Sequence, residues 1–174
     1  MKVNKNYTPA LIMLTRGAMI AALYVLLSWI SSPLQVGNFQ IRLSEALCLL
    51  PAFMPEAIVG LSLGCALSGY ITGCLVADII FGTLATFIGA LVAWVLGILF
   101  HGKHVWLYSI PNVISNSIIM PFVIVYAYGV EGGYFLFFGA VLLSEIVACG
   151  SLGTLFTYRL SKTPILYLNG RNKK

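Results

Sequence analysis

The stretch LSEALCLLPAFMPEAIVGLSLGCALSGY, Leu43–Tyr70, decides the fold. It is longer than the roughly 20 apolar residues that one helical membrane crossing uses. Pro51 and Pro55 interrupt it. A proline lacks the N–H that a helix needs and turns the residue before it away from helical geometry. The run is therefore either one long kinked helix or two helices joined by a tight turn at Pro51-Ala52-Phe53-Met54-Pro55. Four further apolar runs flank it: Pro9–Ile30, Cys74–Phe100, Val105–Tyr128 and Tyr134–Tyr158. One kinked helix gives five crossings, and a split gives six.

Charge separates the two counts. Basic residues gather at Lys2 and Lys5, at Lys103, and at Arg159, Lys162, Arg171, Lys173 and Lys174. With six helices, both termini and the Lys103 loop share one side, and Arg42 alone lies opposite. With five, the basic tail falls across the membrane from the basic N-terminus, against the preference for positive cytoplasmic loops. The expected fold is an all-α bundle of six transmembrane helices over residues 1–174, a single domain with both termini cytoplasmic. The halves of the split run are short, so the first half is not expected to cross fully.

Composition agrees with lipid as the main solvent. Hydrophobic residues make up 60% of the 174 residues and charged ones 9%, against about a quarter charged in soluble domains. Mean hydropathy is +0.97. The net charge of +5 reads as membrane topology and not as a nucleic-acid patch. Ala10–Ile30 is longer than the ~7–15-residue core of a signal peptide and no A-x-A site follows, so it is read as a retained helix. Cys48, Cys65, Cys74 and Cys149 stand singly in apolar runs without a CxxC pair and are read as small core residues.

The acidic residues are Glu45, Glu56, Asp78, Glu131 and Glu145, and an ionisable group inside lipid needs protein or water to face. Asp78 begins the fourth helix, above a stripe of small residues: Gly82, Ala85, Thr86, Gly89, Ala93 and Gly97. Their i, i+3/i+4 spacing makes one face, a tight helix seam with Asp78 at its top. No nearby basic residue neutralises Asp78 in sequence, which favours a binding role. Glu145 lies near mid-membrane in the last helix. Asn112 and Asn116 share a face of the antiparallel neighbour, and Asn116 falls at the depth of Glu145. That pair is either a ligand site or a buried hydrogen-bonded link between helices. Glu45 follows Arg42 by one turn, as a local ion pair does. Glu56 after Pro55 suits a helix start. Glu131 belongs to an outer loop and is read as solvated. His101 and His104 read as interfacial anchors, with no metal site expected.

The long connection Ser31–Arg42 is a natural cover for an outward-facing pocket. Carboxylates outnumber Arg42 in the outer and middle layers, which suits a ligand that is cationic or rich in hydrogen-bond donors. Tyr70, Phe81, Trp94, Tyr126 and Tyr128 are available to stack on a flat ring. No Walker A loop, HExxH, GxSxG or catalytic dyad is present, so no enzyme activity and no cofactor are expected.

Gln40-Ile-Arg42-Leu-Ser-Glu45-Ala-Leu47, Leu50-Pro51-Ala-Phe-Met-Pro55-Glu56-Ala-Ile58, Ala77-Asp78-Ile-Ile-Phe-Gly82-Thr-Leu-Ala-Thr86 and Gly139–Cys149 together resemble the queuosine-precursor (QueT) family. These are substrate-binding S components of energy-coupling factor transporters. The resemblance implies six helices and an outward-opening site covered by the first outer loop. It also implies a small-residue face, here Ala18-Met-Ile-Ala-Ala22, docking on a membrane scaffold subunit, with Arg16 snorkelling to the cytoplasmic interface. Two separate ATPases complete such a transporter, in the plasma membrane of a prokaryote. The implied ligand is a deazaguanine, with Asp78 and Glu145 taking its ring edge and amine in either order, Asn116 a ring nitrogen or carbonyl, and Arg42 and Glu45 closing the lid. The rival readings are a small proton-coupled transporter working through Glu145, and a ligand-free assembly subunit in which Glu145 only pairs with Asn116.

Overall fold

The computed structural model describes residues 8–36, 39–40, 42–101 and 104–161. Lys2, Lys5, Lys103, Lys162, Arg171, Lys173 and Lys174, on which the charge argument for six crossings leans, lie outside the described residues. Four helical stretches are long and apolar enough to cross a membrane: Ala10–Ser31, Val76–Phe100, Val105–Ala127 and Tyr134–Leu160. Two shorter apolar segments, Leu43–Ala52 and Glu56–Ile71, complete the bundle. The chain is a multi-pass membrane protein, and its outer surface shows why. Leu14, Val76, Tyr126 and Phe135 lie on it largely uncovered by protein, as side chains facing lipid do.

Helix α1 spans Thr8–Ser31. The connection that follows pairs β1 (Gln35–Val36) with β2 (Phe39–Gln40) in an antiparallel ladder, Gln35 opposite Gln40 and Val36 opposite Phe39. The chain then turns inward. Leu43–Leu47 and Leu50–Ala52 are short 3-10 turns, and α2 begins after Pro55, at Glu56, and runs to Ile71. The prolines thus split the run as expected, with a first half too short to span. This inner segment, Leu43–Ala52, is buried by the helices around it: Leu47 and Leu49 are almost wholly covered. Gly73, at φ 72°, makes the tight turn into α3 (Val76–Phe100), a left-handed conformation that glycine adopts without strain.

The small-residue stripe of α3 is a seam. Gly89 lies so close to Asn112 that a Cβ there would collide with it, and Gly97 leaves no room for one beside the Ala52 backbone. A second seam joins α1 to α2, where Gly60 meets the Gly17 carbonyl and Gly64 meets Tyr24. Small residues let helix backbones approach and gain dispersion contacts that lipid cannot replace. Arg16 does not point toward an interface alone, as expected, but pairs with Glu56 at 3.4 Å.

The last two runs are less regular than their apolar patterns. Val105–Ser109 is a 3-10 turn leading into α4 (Ile110–Phe122), and Val123–Ala127 widens to π geometry just after Pro121, where the missing N–H breaks the helical ladder. Helix α5 (Tyr134–Glu145) passes through a π stretch, Ile146–Gly153, into α6 (Thr154–Ser161). Leu160, at the end of α6, packs against the buried cluster that includes Leu47, Leu50 and Met54.

The reading of all four cysteines as lone core residues is corrected. Cys48 and Cys149 form a disulfide across a sequence separation of 101, with Cα atoms 6.5 Å apart. Spacing in sequence carried no sign of it, because the bundle alone brings the inner segment against the last helix. Cys65 is free and buried, and Cys74 is free and half-buried.

Candidate functional site

Above the inner segment, a cavity of about 260 Å³ opens between α1, α2 and α3. Tyr24 and Ser28 line it from α1, Cys65 and Ser68 from α2, Asp78 from α3, and Arg42 and Tyr128 from either side. Its walls are more polar than the apolar surroundings predict, and each polar wall traces to a local cause. Asp78 occupies the first turn of α3, where unpaired backbone N–H groups favour a negative charge. Arg42 enters because the 3-10 turn after it carries the chain into the bundle. Ser68 bonds back to the Cys65 carbonyl at 2.9 Å and so satisfies itself within α2.

The expectation that nothing basic neutralises Asp78 is overturned. The Arg42 guanidinium reaches it at 3.5 Å, and the Tyr128 hydroxyl donates to its other oxygen at 2.8 Å. A tertiary approach between the residue that enters the inner segment and the first turn of α3 supplies the partner that the sequence neighbourhood lacked. Gly82 lies beside the pair, where a Cβ would sit in ordinary contact with Asp78 Oδ1, Arg42 Nη1 and Met120 Sδ at 3.6, 3.8 and 3.8 Å. Burial first, and the Asp78 bond second, push the Tyr128 phenol up, which keeps it a donor.

Glu45 is not paired locally with Arg42, the expected arrangement. It turns into the bundle, 1% exposed, and its two oxygens accept hydrogen bonds from the Tyr24 hydroxyl and the Asn112 amide, both at 2.7 Å. Two charge-assisted bonds of this length fix a buried carboxylate firmly. Since Tyr24 also lines the cavity, Glu45 lies one side chain behind its wall.

Glu145 and Asn116 are both buried, 5% and 1% exposed, and the Asn116 amide lies beside the Glu145 carboxyl, within electrostatic reach of Glu45 and Arg42. They do not line the cavity itself. Glu145 Oε2, both amide atoms of Asn116, Asn112 Oδ1 and Ser117 Oγ are buried without a hydrogen-bond partner. Such atoms cost roughly 1–3 kcal/mol each when left so. The five expected site residues therefore divide into a cavity pair, Arg42 and Asp78, and a deeper polar layer of Glu45, Asn116 and Glu145.

Tyr24 and Asn112 were missed as site residues. Tyr24 looked like one more aromatic in an apolar helix, and its only sequence signal is a hydroxyl that lipid cannot satisfy. Among the aromatics considered for stacking, Tyr128 lines the cavity, whereas Tyr70 and Tyr126 point outward, 79% and 76% exposed. Ala18 and Ala22 are exposed on α1, on the side that does not pack on α2. Among the described residues, no group of three His, Cys, Asp or Glu is placed to hold a metal ion.

The model of the QueT transporter family matches residues 14–162 of the chain. No curated protein and no solved structure was found to match it.

Proposed function

Since the chain belongs to the QueT transporter family, we propose that it is the substrate-binding S component of an energy-coupling factor importer for a deazaguanine precursor of queuosine. The observation that carries the reading is the cavity bounded by Asp78, Arg42 and Tyr128. Its volume of about 260 Å³ lies just below the ~300–1,000 Å³ range of small-molecule sites, suited to one small polar ring. Three buried carboxylates, Glu45, Asp78 and Glu145, stand around the single guanidinium of Arg42. That balance favours a ligand bringing N–H donors or a positive charge and disfavours a phosphate.

In this reading Asp78 accepts from the ring edge, Glu145 draws the ligand's amine downward, and Asn116 meets a ring nitrogen or carbonyl. The Asn116 amide and the Glu145 carboxyl, buried side by side with polar capacity left over, support those roles. Arg42, at the end of the Ser31–Arg42 connection, and Glu45, one side chain behind the wall on the inner segment, form the closing part. The bundle has six membrane segments, the inner one incomplete, and both termini face the cytoplasm of a prokaryotic cell. Ala18 and Ala22 present the face that docks on a transmembrane scaffold subunit, with two ATPases supplying energy. Transport is a tilt of the whole bundle on that scaffold.

Calorimetry on the purified chain in detergent, with queuosine precursors against guanine and thiamine, tests the reading. Tight, selective binding of a deazaguanine without any partner protein supports it. A folded sample that binds none of them sinks the substrate assignment and returns the proton-coupled transporter acting through Glu145 to first place.

A further inference from the structure

Arg42 holds Asp78 weakly for two such well-placed groups. Their contact is a single 3.5 Å approach, longer than the ~2.7–2.9 Å of a good charge-assisted bond, and the two-pronged fork that a guanidinium forms with a carboxylate is not made. The Arg42 side chain keeps 19% of its surface exposed, against 6% for Asp78, so the anion is the more deeply held member and the cation the more accessible one. The other Asp78 oxygen is held separately by Tyr128 at 2.8 Å, and Gly82, with no side chain of its own, lies beside Arg42 Nη1.

A guanidinium and the edge of a 2-aminopyrimidinone ring present the same array: two parallel N–H donors on a planar carbon–nitrogen frame. We infer that Arg42 is a displaceable internal stand-in for the ligand, occupying Asp78 until a planar donor pair of this class takes its place. The inference rests on the reading of this cavity as the ligand site. It assigns Arg42 a competing role in place of a direct contact. Exchange releases the guanidinium from Asp78 and with it the start of the inner segment, where Arg42 precedes the 3-10 turn that carries Glu45. Selectivity follows from the same exchange. A ligand with two parallel donors makes the paired bond that Arg42 does not, one with a single donor gains nothing over the single approach of Arg42, and one with acceptors at that edge meets Asp78 unfavourably.

Two measurements on the purified chain in detergent test it. Arg42→Ala removes the competitor, and binding of an aminomethyl deazaguanine is expected to tighten on the order of tenfold, the gain when the competent state stops being a minor fraction. Arg42→Gln, which keeps volume and loses charge, should shift affinity in the same direction and serves if the alanine variant does not fold. Independently of any deazaguanine, guanidinium chloride at low millimolar concentration should raise the melting temperature of Arg42→Ala by a few degrees over equal sodium chloride. It should do so neither in the wild type nor in the Arg42→Ala, Asp78→Asn double variant. Binding that weakens or stays unchanged when Arg42 is replaced overturns the inference, as does the lack of an Asp78-dependent guanidinium effect. If the wild type binds no deazaguanine while guanidinium still stabilises Arg42→Ala through Asp78, the exchange site stands and the deazaguanine reading falls.

Discussion

The Asn112 amide donates to the Glu45 carboxylate at 2.7 Å, although 67 residues separate them in sequence. With the Tyr24 hydroxyl on the other oxygen, this bond ties α1, the inner segment and α4 at one buried point. Glu45→Ala leaves the hydroxyl and the amide without their acceptor, at roughly 1–3 kcal/mol for each orphaned group. The variant is expected to melt well below the wild type in detergent, and Tyr24→Phe by a smaller step. An unchanged melting curve for Glu45→Ala would remove this carboxylate as an anchor.

Asp78→Asn keeps the shape of the cavity wall and removes its charge. Ligand affinity is expected to fall by tens of fold, the scale of a hydrogen bond to a charged group at about 1.5–3 kcal/mol. Folding is expected to change little. Calorimetry checks it, and full affinity in the variant would take Asp78 out of the site.

Ala18→Leu adds bulk to an exposed face of α1, far from the cavity walls. Binding by the purified chain is expected to be normal while uptake into cells fails, because a close helix approach tolerates only small side chains. Normal uptake would dismiss this face as the docking surface.

Gly89 faces Asn112 with no room for a Cβ. Gly89→Ala is expected to push α3 and α4 apart at about 1–3 kcal/mol, and to disturb the Asn112 amide that serves Glu45. Thermal unfolding reads the loss. A variant as stable as the wild type would show that the seam has slack.

Alkylation of the denatured, unreduced chain should label Cys65 and Cys74 and spare Cys48 and Cys149. Labelling at all four positions would show the pair reduced. Where the bond forms, Cys149→Ser is expected to lower stability by up to ~4–5 kcal/mol, the chain-entropy estimate for a loop of this length.

What the sequence made legible is what helical periodicity and proline chemistry write directly. The break between Pro51 and Pro55, the small-residue seam under Asp78 and the shared face of Asn112 and Asn116 all follow from local spacing. The hidden part is what long connections bring together. Arg42 reaches Asp78, and Cys48 reaches Cys149, only once the inner segment has entered the bundle. The π stretches after Pro121 and Glu145 were equally silent, since their apolar residues fit an ordinary helix as well.

The inner segment also sets an order of events at the ribosome. Leu43–Ala52 is too short to cross lipid unaided, and an uncovered 3-10 stretch leaves backbone groups that hydrocarbon cannot satisfy. Tyr24 of α1 is already made, but two other permanent partners are synthesised later: Asn112 follows Glu45 by 67 residues and Cys149 follows Cys48 by 101. At ~5–20 residues per second, the segment waits several seconds at the membrane before those partners exist. Insertion of this protein therefore finishes from the inside, with the first-made part of its candidate site among the last pieces to settle.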